Sequence, residues 1–350
     1  MNGPPSGRPI CIQPAQPAAV TTLLHPTQAL FEEGQAPAAL PVVDHYCGVE
    51  ARMRKSLELQ AQMGPVFDIT LDCEDGAPVG GEAEHMLLVL SLLNSPLNSH
   101  GRVGVRVHPV SHPAFEADVE ALVAGGGAPR AAYLMIPKPE GLADLERGIR
   151  FIDDCLARHG ISQRPPLHTL IETHGALREV QAIAALPRIE SLSFGLMDFV
   201  SAHRGAIPRS ALTVEGQFQH PLVLRAKLEI AAAAHAHGKT PSHCVVTEFK
   251  SERAIQAAAE RAARELGYTR MWSIHPQQIR PIIEAFAPSV AEIDEAIEII
   301  QAAQAAHWAP IQHRDMLHDR ASYRLFWQLL QRAHATGQEL PAEVRQAYFA

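Results

Sequence analysis

The chain has 350 residues, 47% of them apolar, and a formal net charge of −8, which suits a large folded core and argues against a general nucleic-acid binder. No stretch approaches the roughly eighteen apolar residues of a membrane span, and the N-terminus lacks a charged-then-apolar leader, so neither a transmembrane helix nor a signal peptide is expected. Cys11, Cys47, Cys73, Cys155 and Cys244 are scattered without a C-x-x-C pair, which points to a reducing, cytoplasmic setting with no structural zinc or disulfide framework.

Residues 1–36 are rich in Pro, Ala and Gln, with Pro4, Pro5, Pro9, Pro14 and Pro17 close together. Proline fixes φ and removes a donor, so this stretch reads as a mobile arm or a surface-hugging tail. Strand-like runs then follow at Pro41–Tyr46, Phe67–Leu71, Val103–Val107, Ala132–Ile136, Leu167–Ile171, Ser191–Phe194, His243–Thr247 and Arg270–Ile274. Helical patterns separate them at Val49–Met63, Phe115–Ala124, Leu142–His159, Ala176–Ala185, Leu222–His237 and Glu252–Leu266. Eight short strands alternating with helices predict an α/β fold, a parallel (β/α)8 barrel over residues 37–306. A doubly wound open sheet is the alternative, and the seventh strand carries the weakest pattern. A further helix is expected over Val290–Ala306. The tail 307–350 holds Trp308, Tyr323, Phe326 and Trp327, with helical spacing over Ala321–His334. Such an apolar tail must dock, as a helical lid over its own barrel or against another subunit.

Residues just beyond strand C-termini converge on one face of such a barrel. Acids recur there: Asp72, Glu74 and Asp75 after the second strand, Glu172 after the fifth, and Asp198 shortly after the sixth. Adjacent acids repel unless a cation or an arginine sits among them. Magnesium takes one or two carboxylates plus waters and substrate oxygens, a role open to Glu172 and Asp198. Arg106 ends the third strand, where its planar fork suits a substrate carboxylate, an internal ion pair with Glu74 or Asp75, or both. Lys138 stands at the fourth strand's end and is expected to pair with Glu140. His235 and His237, like His313 and His318, lack zinc-protease spacing and read as surface histidines. Ser242-His243 forms no nucleophile elbow.

Six segments in this order resemble the HpcH/HpaI aldolase and citrate lyase beta-subunit superfamily: Leu71-Asp72-Cys73-Glu74-Asp75, Val105-Arg106-Val107-His108, Ile136-Pro137-Lys138-Pro139-Glu140, Leu170-Ile171-Glu172-Thr173, Phe194-Gly195-Leu196-Met197-Asp198 and Ile274-His275-Pro276-Gln277-Gln278-Ile279. The likeness covers about residues 40–300 and leans to the CoA-ester lyase branch. It implies Mg2+ bound by Glu172 and Asp198, with Arg106 holding the carboxylate of a 2-oxo acid. Glu74 and Asp75 would order metal-bound waters and the arginine, and Gly195 and Met197 would border the substrate. Asp319, with Asp315 as the lesser choice, would be the acid or base on a C-terminal lid, often supplied by a neighbouring subunit. Arg52, Arg54 and Lys55 would meet CoA phosphates. The implied enzyme is a homotrimer or hexamer that cleaves or forms a carbon–carbon bond in a 3-hydroxyacyl-CoA thioester. A class II oxo-acid aldolase without CoA, or a non-catalytic barrel subunit, are the alternatives. Four positions depart from the family's usual pattern: Pro41 starts the first strand where an arginine is usual, Tyr46-Cys47-Gly48 stands for a Pro-Gly turn, His108 for an asparagine, and His174 follows Glu172-Thr173 in place of an Ala-Arg pair.

Overall fold

In the computed structural model, which describes residues 23–32 and 40–349, eight parallel strands close into a barrel in chain order. They are β1 (Val43–Cys47), β2 (Asp68–Asp72), β3 (Val103–Arg106), β4 (Leu134–Ile136), β5 (Leu167–Ile171), β6 (Ile189–Phe194), β7 (Thr240–His243) and β8 (Arg270–Ser273), with β8 pairing back on β1. The open-sheet alternative is thereby excluded. In chain order, the helices are α1 (Pro26–Leu30), α2 (Glu50–Met63), α3 (Glu82–Leu93), α4 (Phe115–Ala124), α5 (Leu142–Arg158), α6 (His174–Arg178), α7 (Val180–Ala184), α8 (Leu196–Ala202), α9 (Pro221–Ala236), α10 (Glu252–Arg264) and α11 (Pro276–Phe286). The single helix expected over Ala176–Ala185 is two, broken at Glu179.

Strand residues alternate between the helix layer and the barrel interior. On β2 the outward Ile69 and Leu71 join the main core, while Asp68, Thr70 and Asp72 point inward. The interior is therefore polar at one end. Arg270 is fully buried between Asp68, at 2.5 Å, and Asp44, at 3.3 Å. Thr70 and Tyr133 both donate to Asp44 Oδ1, at 2.7 and 2.8 Å, and Tyr133 stacks on His168. Nearer the strand C-termini the filling turns apolar, with Tyr46, Met135, Leu170, Val245 and Trp272.

The seventh strand lies earlier than expected. Thr240–His243 pairs with β6 and β8, whereas the apolar Cys244-Val245-Val246 follows it as the loop that leaves the barrel.

Beyond α11, α12 (Val290–Ala305) packs on α13 (Arg320–Ala335) rather than joining the barrel's core. Ile293, Ile297 and Ile300 meet Trp308, Tyr323, Trp327 and Leu330, and α14 (Ala342–Tyr348) and α1 complete this satellite core. Between α12 and α13 runs a hairpin, β9 (Ile311–His313) and β10 (Met316–His318), turning at Arg314 and Asp315, both left-handed. The arm 1–36 falls mostly outside the described residues. Its part at 23–32 docks on the extension, where Arg324 donates to the Leu30 carbonyl.

The far half of α13, including Gln328 and Arg332, borders a cavity with Val42, Thr240 and Thr269. Those three mark the starts of β1, β7 and β8, respectively, so the extension sits at the barrel end opposite the strand C-termini. It forms no lid over its own barrel.

Candidate active site

A cleft of about 310 Å3 opens at the strand C-termini, lined by Asp72, Asp75, Arg106, Glu172, Gly195, Met197 and Asp198. Asp72 and Arg106 are register neighbours on β2 and β3, which places their side chains together. Arg106 donates from Nε and Nη2 to the two Asp72 oxygens, at 2.7 and 2.5 Å, while Nη1 lies 3.1 Å from Glu74. The expected ion pair with Glu74 is therefore present, and Asp72 adds a bidentate partner that the sequence reading did not name. Asp72 also accepts from the backbone N–H groups of Glu74 and Gly76, which locks its carboxylate and holds the fork in one orientation. Burial opposes the charge of Arg106, but Asp72 and Glu74 outweigh it and raise its pKa further.

Lys138 was expected to pair with Glu140. It reaches instead to Glu74, to Asp75 at 2.7 Å and to Asp198 at 3.5 Å. Its backbone is left-handed, with φ of 48°, a conformation that side chains other than glycine seldom adopt. That turn aims the ammonium across the cleft and presents the Lys138 N–H to Glu172 Oε1 at 2.9 Å. Burial works against the lysine's charge, yet the bonds to Asp75 and Glu74 prevail and raise its pKa. Asp75 is correspondingly lowered, its burial outweighed by Lys138. Glu74 is buried deeply enough to be raised despite Arg106.

Glu172 is buried at the end of β5, and burial followed by repulsion from Asp198 pushes its pKa up to about 8. Gly195 is required beside it, because a Cβ there would lie 1.9 Å from Glu172 Oε2. Asp198 stands in the first turn of α8, partly exposed. Two facing carboxylates, one with its ionisation suppressed, suit a hard divalent cation, which takes oxygen ligands and relieves the repulsion. Met197 is exposed at the rim. The floor is Tyr46 stacked on Trp272, centroids 4.5 Å apart, with the Arg106 guanidinium 5.3 Å from the Tyr46 ring centroid. Tyr46 Oη and Trp272 Nε1 are buried without a protein partner among the described residues, which leaves two polar atoms for a ligand.

A second, adjoining cleft shares Tyr46, Cys47, Arg52, Thr247 and Ile274 with the first and adds Lys55, Phe249 and His275. Arg52 and Lys55, three apart on α2, therefore face it together. Arg54 points elsewhere, pairs with Glu50 at 2.8 Å and borders neither cleft. Asp319 is not brought to this site within the chain. It caps α13, accepting from the Ala321 and Ser322 N–H groups. Asp315 sits in the hairpin turn.

The sequence gives no role to Tyr46 or Trp272, pairs Lys138 with Glu140, and places Asp72 only among the strand-end acids. Asp72 was recoverable from strand register, whereas the cross-barrel reach of Lys138 and the Tyr46–Trp272 stack had no local signal.

The family model for HpcH/HpaI aldolase/citrate lyase matches residues 60–276. The chain belongs to this family. Members of the HpcH/HpaI aldolase/citrate lyase family are carbon–carbon lyases, and this chain is an enzyme of that class. Among curated relatives, the L-malyl-CoA/beta-methylmalyl-CoA lyase of Rhodobacter capsulatus is 28% identical over 247 residues, covering 68% of this chain and 77% of that protein. The (3S)-malyl-CoA thioesterase of Cereibacter sphaeroides is 27% identical over 253 residues, covering 72% and 80%. Among solved structures, a citrate lyase from Burkholderia xenovorans LB400 is 52% identical, with a TM-score of 0.80 over 93% of this chain and 100% of that one. The CitE protein of Mycobacterium tuberculosis, solved with magnesium, acetoacetate and coenzyme A, is 20% identical, with a TM-score of 0.63 over 86% and 99%, and shares the fold.

Proposed function

We propose that this member of the family is a Mg2+-dependent lyase that cleaves, or in reverse forms, the carbon–carbon bond of a 3-hydroxyacyl-CoA thioester such as malyl-, citramalyl- or citryl-CoA. The products of cleavage are a 2-oxo acid and an acyl-CoA. The observation that carries this reading is one cleft holding Glu172, Asp198 and Arg106 that adjoins a second cleft with cationic Arg52 and Lys55.

Glu172 and Asp198 would hold the magnesium, whose chemistry is to polarise the oxygens of the 2-oxo acid. With Nε and Nη2 engaged by Asp72 and Nη1 by Glu74, Arg106 would turn the one N–H left on each Nη to the substrate carboxylate. Glu74 and Asp75 position Arg106 and Lys138. Arg52 and Lys55 meet phosphate oxygens of the CoA, and Phe249, exposed at the mouth, offers an aromatic face. The proton-transfer group is Asp319 of a second copy of the chain. In support, Asp319 is exposed on an extension directed away from its own cleft, beside a hairpin that exposes Met316 and Leu317. This reading requires a homo-oligomer, a trimer or hexamer. During bond formation Asp319 removes a proton from the acyl thioester's α-carbon. The carbanion adds to the oxo carbon, and the resulting alkoxide takes a proton from water; cleavage runs the same steps backwards.

The likeness to a malyl-CoA thioesterase favours hydrolysis as the second reading. Incubation with malyl-CoA and Mg2+ separates them: lyase chemistry releases glyoxylate and acetyl-CoA, and hydrolysis releases malate and free CoA. Calorimetric titration with pyruvate, oxaloacetate or glyoxylate should show binding only with Mg2+, lost in Arg106→Met. Absence of any oxo-acid binding under saturating Mg2+ would sink the lyase assignment.

A further inference from the structure

Outside the cleft, Glu120 on α4, Cys155 on α5 and His159 at the C-terminal cap of α5 point their side chains together. Their donor atoms all lie within 4.8 Å of one another. Cys155 Sγ is 3.2 Å from Glu120 Oε2, and His159 Nε2 is 2.5 Å from Glu120 Oε1. Cys155 and His159 are four apart, so both project from one side of the helix end, and Glu120 closes on them from the neighbouring helix. We propose that these three residues form a second metal site, for zinc, that clips α4 to α5.

The donor set selects the ion. A thiolate, an imidazole and a carboxylate are the protein ligands zinc uses, and a water completes the tetrahedron. Magnesium prefers oxygens alone and stays with Glu172 and Asp198. Thiolate and carboxylate together neutralise a dication, while the imidazole binds uncharged. Without a cation, burial and the nearby Glu120 carboxylate push the Cys155 thiol up to about 11, so zinc displaces a proton on binding. Arg158 now donates to Glu120 Oε2 at 2.8 Å, and its side chain is half exposed, with room to withdraw. The cluster lies in the later half of α4 and at the end of α5. Helices of this barrel run back from the strand C-termini, so the site is remote from the catalytic cleft and serves stability rather than turnover.

The test uses the full chain, stripped with chelator and titrated with Zn2+ and, separately, Co2+ in excess Mg2+. Cobalt at a thiolate ligand gives a near-ultraviolet charge-transfer band that an all-oxygen site cannot give. The band should persist in Glu172→Gln and vanish in Cys155→Ser, while zinc affinity falls at least about tenfold in Cys155→Ser and in Glu120→Gln. Glu120 is a surface residue, so its variant tests the site even if Cys155→Ser folds poorly. A cobalt complex without the thiolate band, or zinc affinity unchanged in both variants, overturns the proposal.

Discussion

Replacing Glu172 by Gln should change how the stability of the metal-free protein depends on pH. In the fold this carboxyl titrates at about 8 against an ordinary 4.5, owing first to burial and then to Asp198. Between those values the folded chain binds a proton that the unfolded chain has lost, so the fold is penalised increasingly as pH rises through that window. The span from 4.5 to about 8, at about 1.4 kcal/mol per pH unit, amounts to about 5 kcal/mol at full ionisation. Roughly 4 kcal/mol of it falls between pH 5 and pH 9. Gln keeps the acceptor for the Lys138 N–H and cannot ionise. Denaturant unfolding in chelator at several pH values should therefore show the wild type losing about 4 kcal/mol more than Glu172→Gln across that range. Added Mg2+ should remove most of the wild-type loss and leave the variant unmoved. Parallel pH profiles for the two proteins would refute the account of a buried carboxyl held protonated by its surroundings.

Gly195→Ala, whose Cβ would also lie 2.6 Å from Glu172 Cβ, should push apart the ends of β5 and β6, lowering stability in denaturant unfolding and Mg2+ affinity at least about tenfold by calorimetry. Asp319→Asn should retain its helix cap and unfold within about 0.5 kcal/mol of wild type, while turnover drops by about a hundredfold or more. Mixing inactive Asp319→Asn with inactive Glu172→Gln should restore activity, and failure to do so would exclude a shared site between copies. Arg270→Met leaves Asp44 and Asp68 facing each other in the barrel interior and should cost about 3–5 kcal/mol in denaturant unfolding.

The strands were legible because their outward residues form the seam with the helices, as Ile69 and Leu71 do on β2. The inward residues obey a different rule, and there local pattern misleads. β7 reads Thr-Pro-Ser-His, which looks like a loop, and its apolar continuation looks like a strand but lines the cleft at Val245. Acids at strand ends were visible, since position after a strand suffices to place them. Their partners were not, because pairing in a closed barrel links residues distant along the chain: Asp44 with Arg270, and Lys138 with Glu74 rather than with its near neighbour Glu140. The tail's apolar content announced that it must dock, but nothing local specified the barrel end it would choose. That choice depends on the course of α12, which turns away from the barrel after Ser289.

The aromatic floor beneath Arg106 gives the molecule a built-in optical division. Of its three tryptophans, Trp272 alone lines the cleft, whereas Trp308 and Trp327 belong to the satellite core. Emission from Trp272, stacked on Tyr46, senses whatever enters above it, while the other two indoles follow the extension. Phenylalanine at 308 and 327 would silence that background. Ligand occupancy could then be followed by intrinsic fluorescence, without a label, and separately from any loosening of the C-terminal helices.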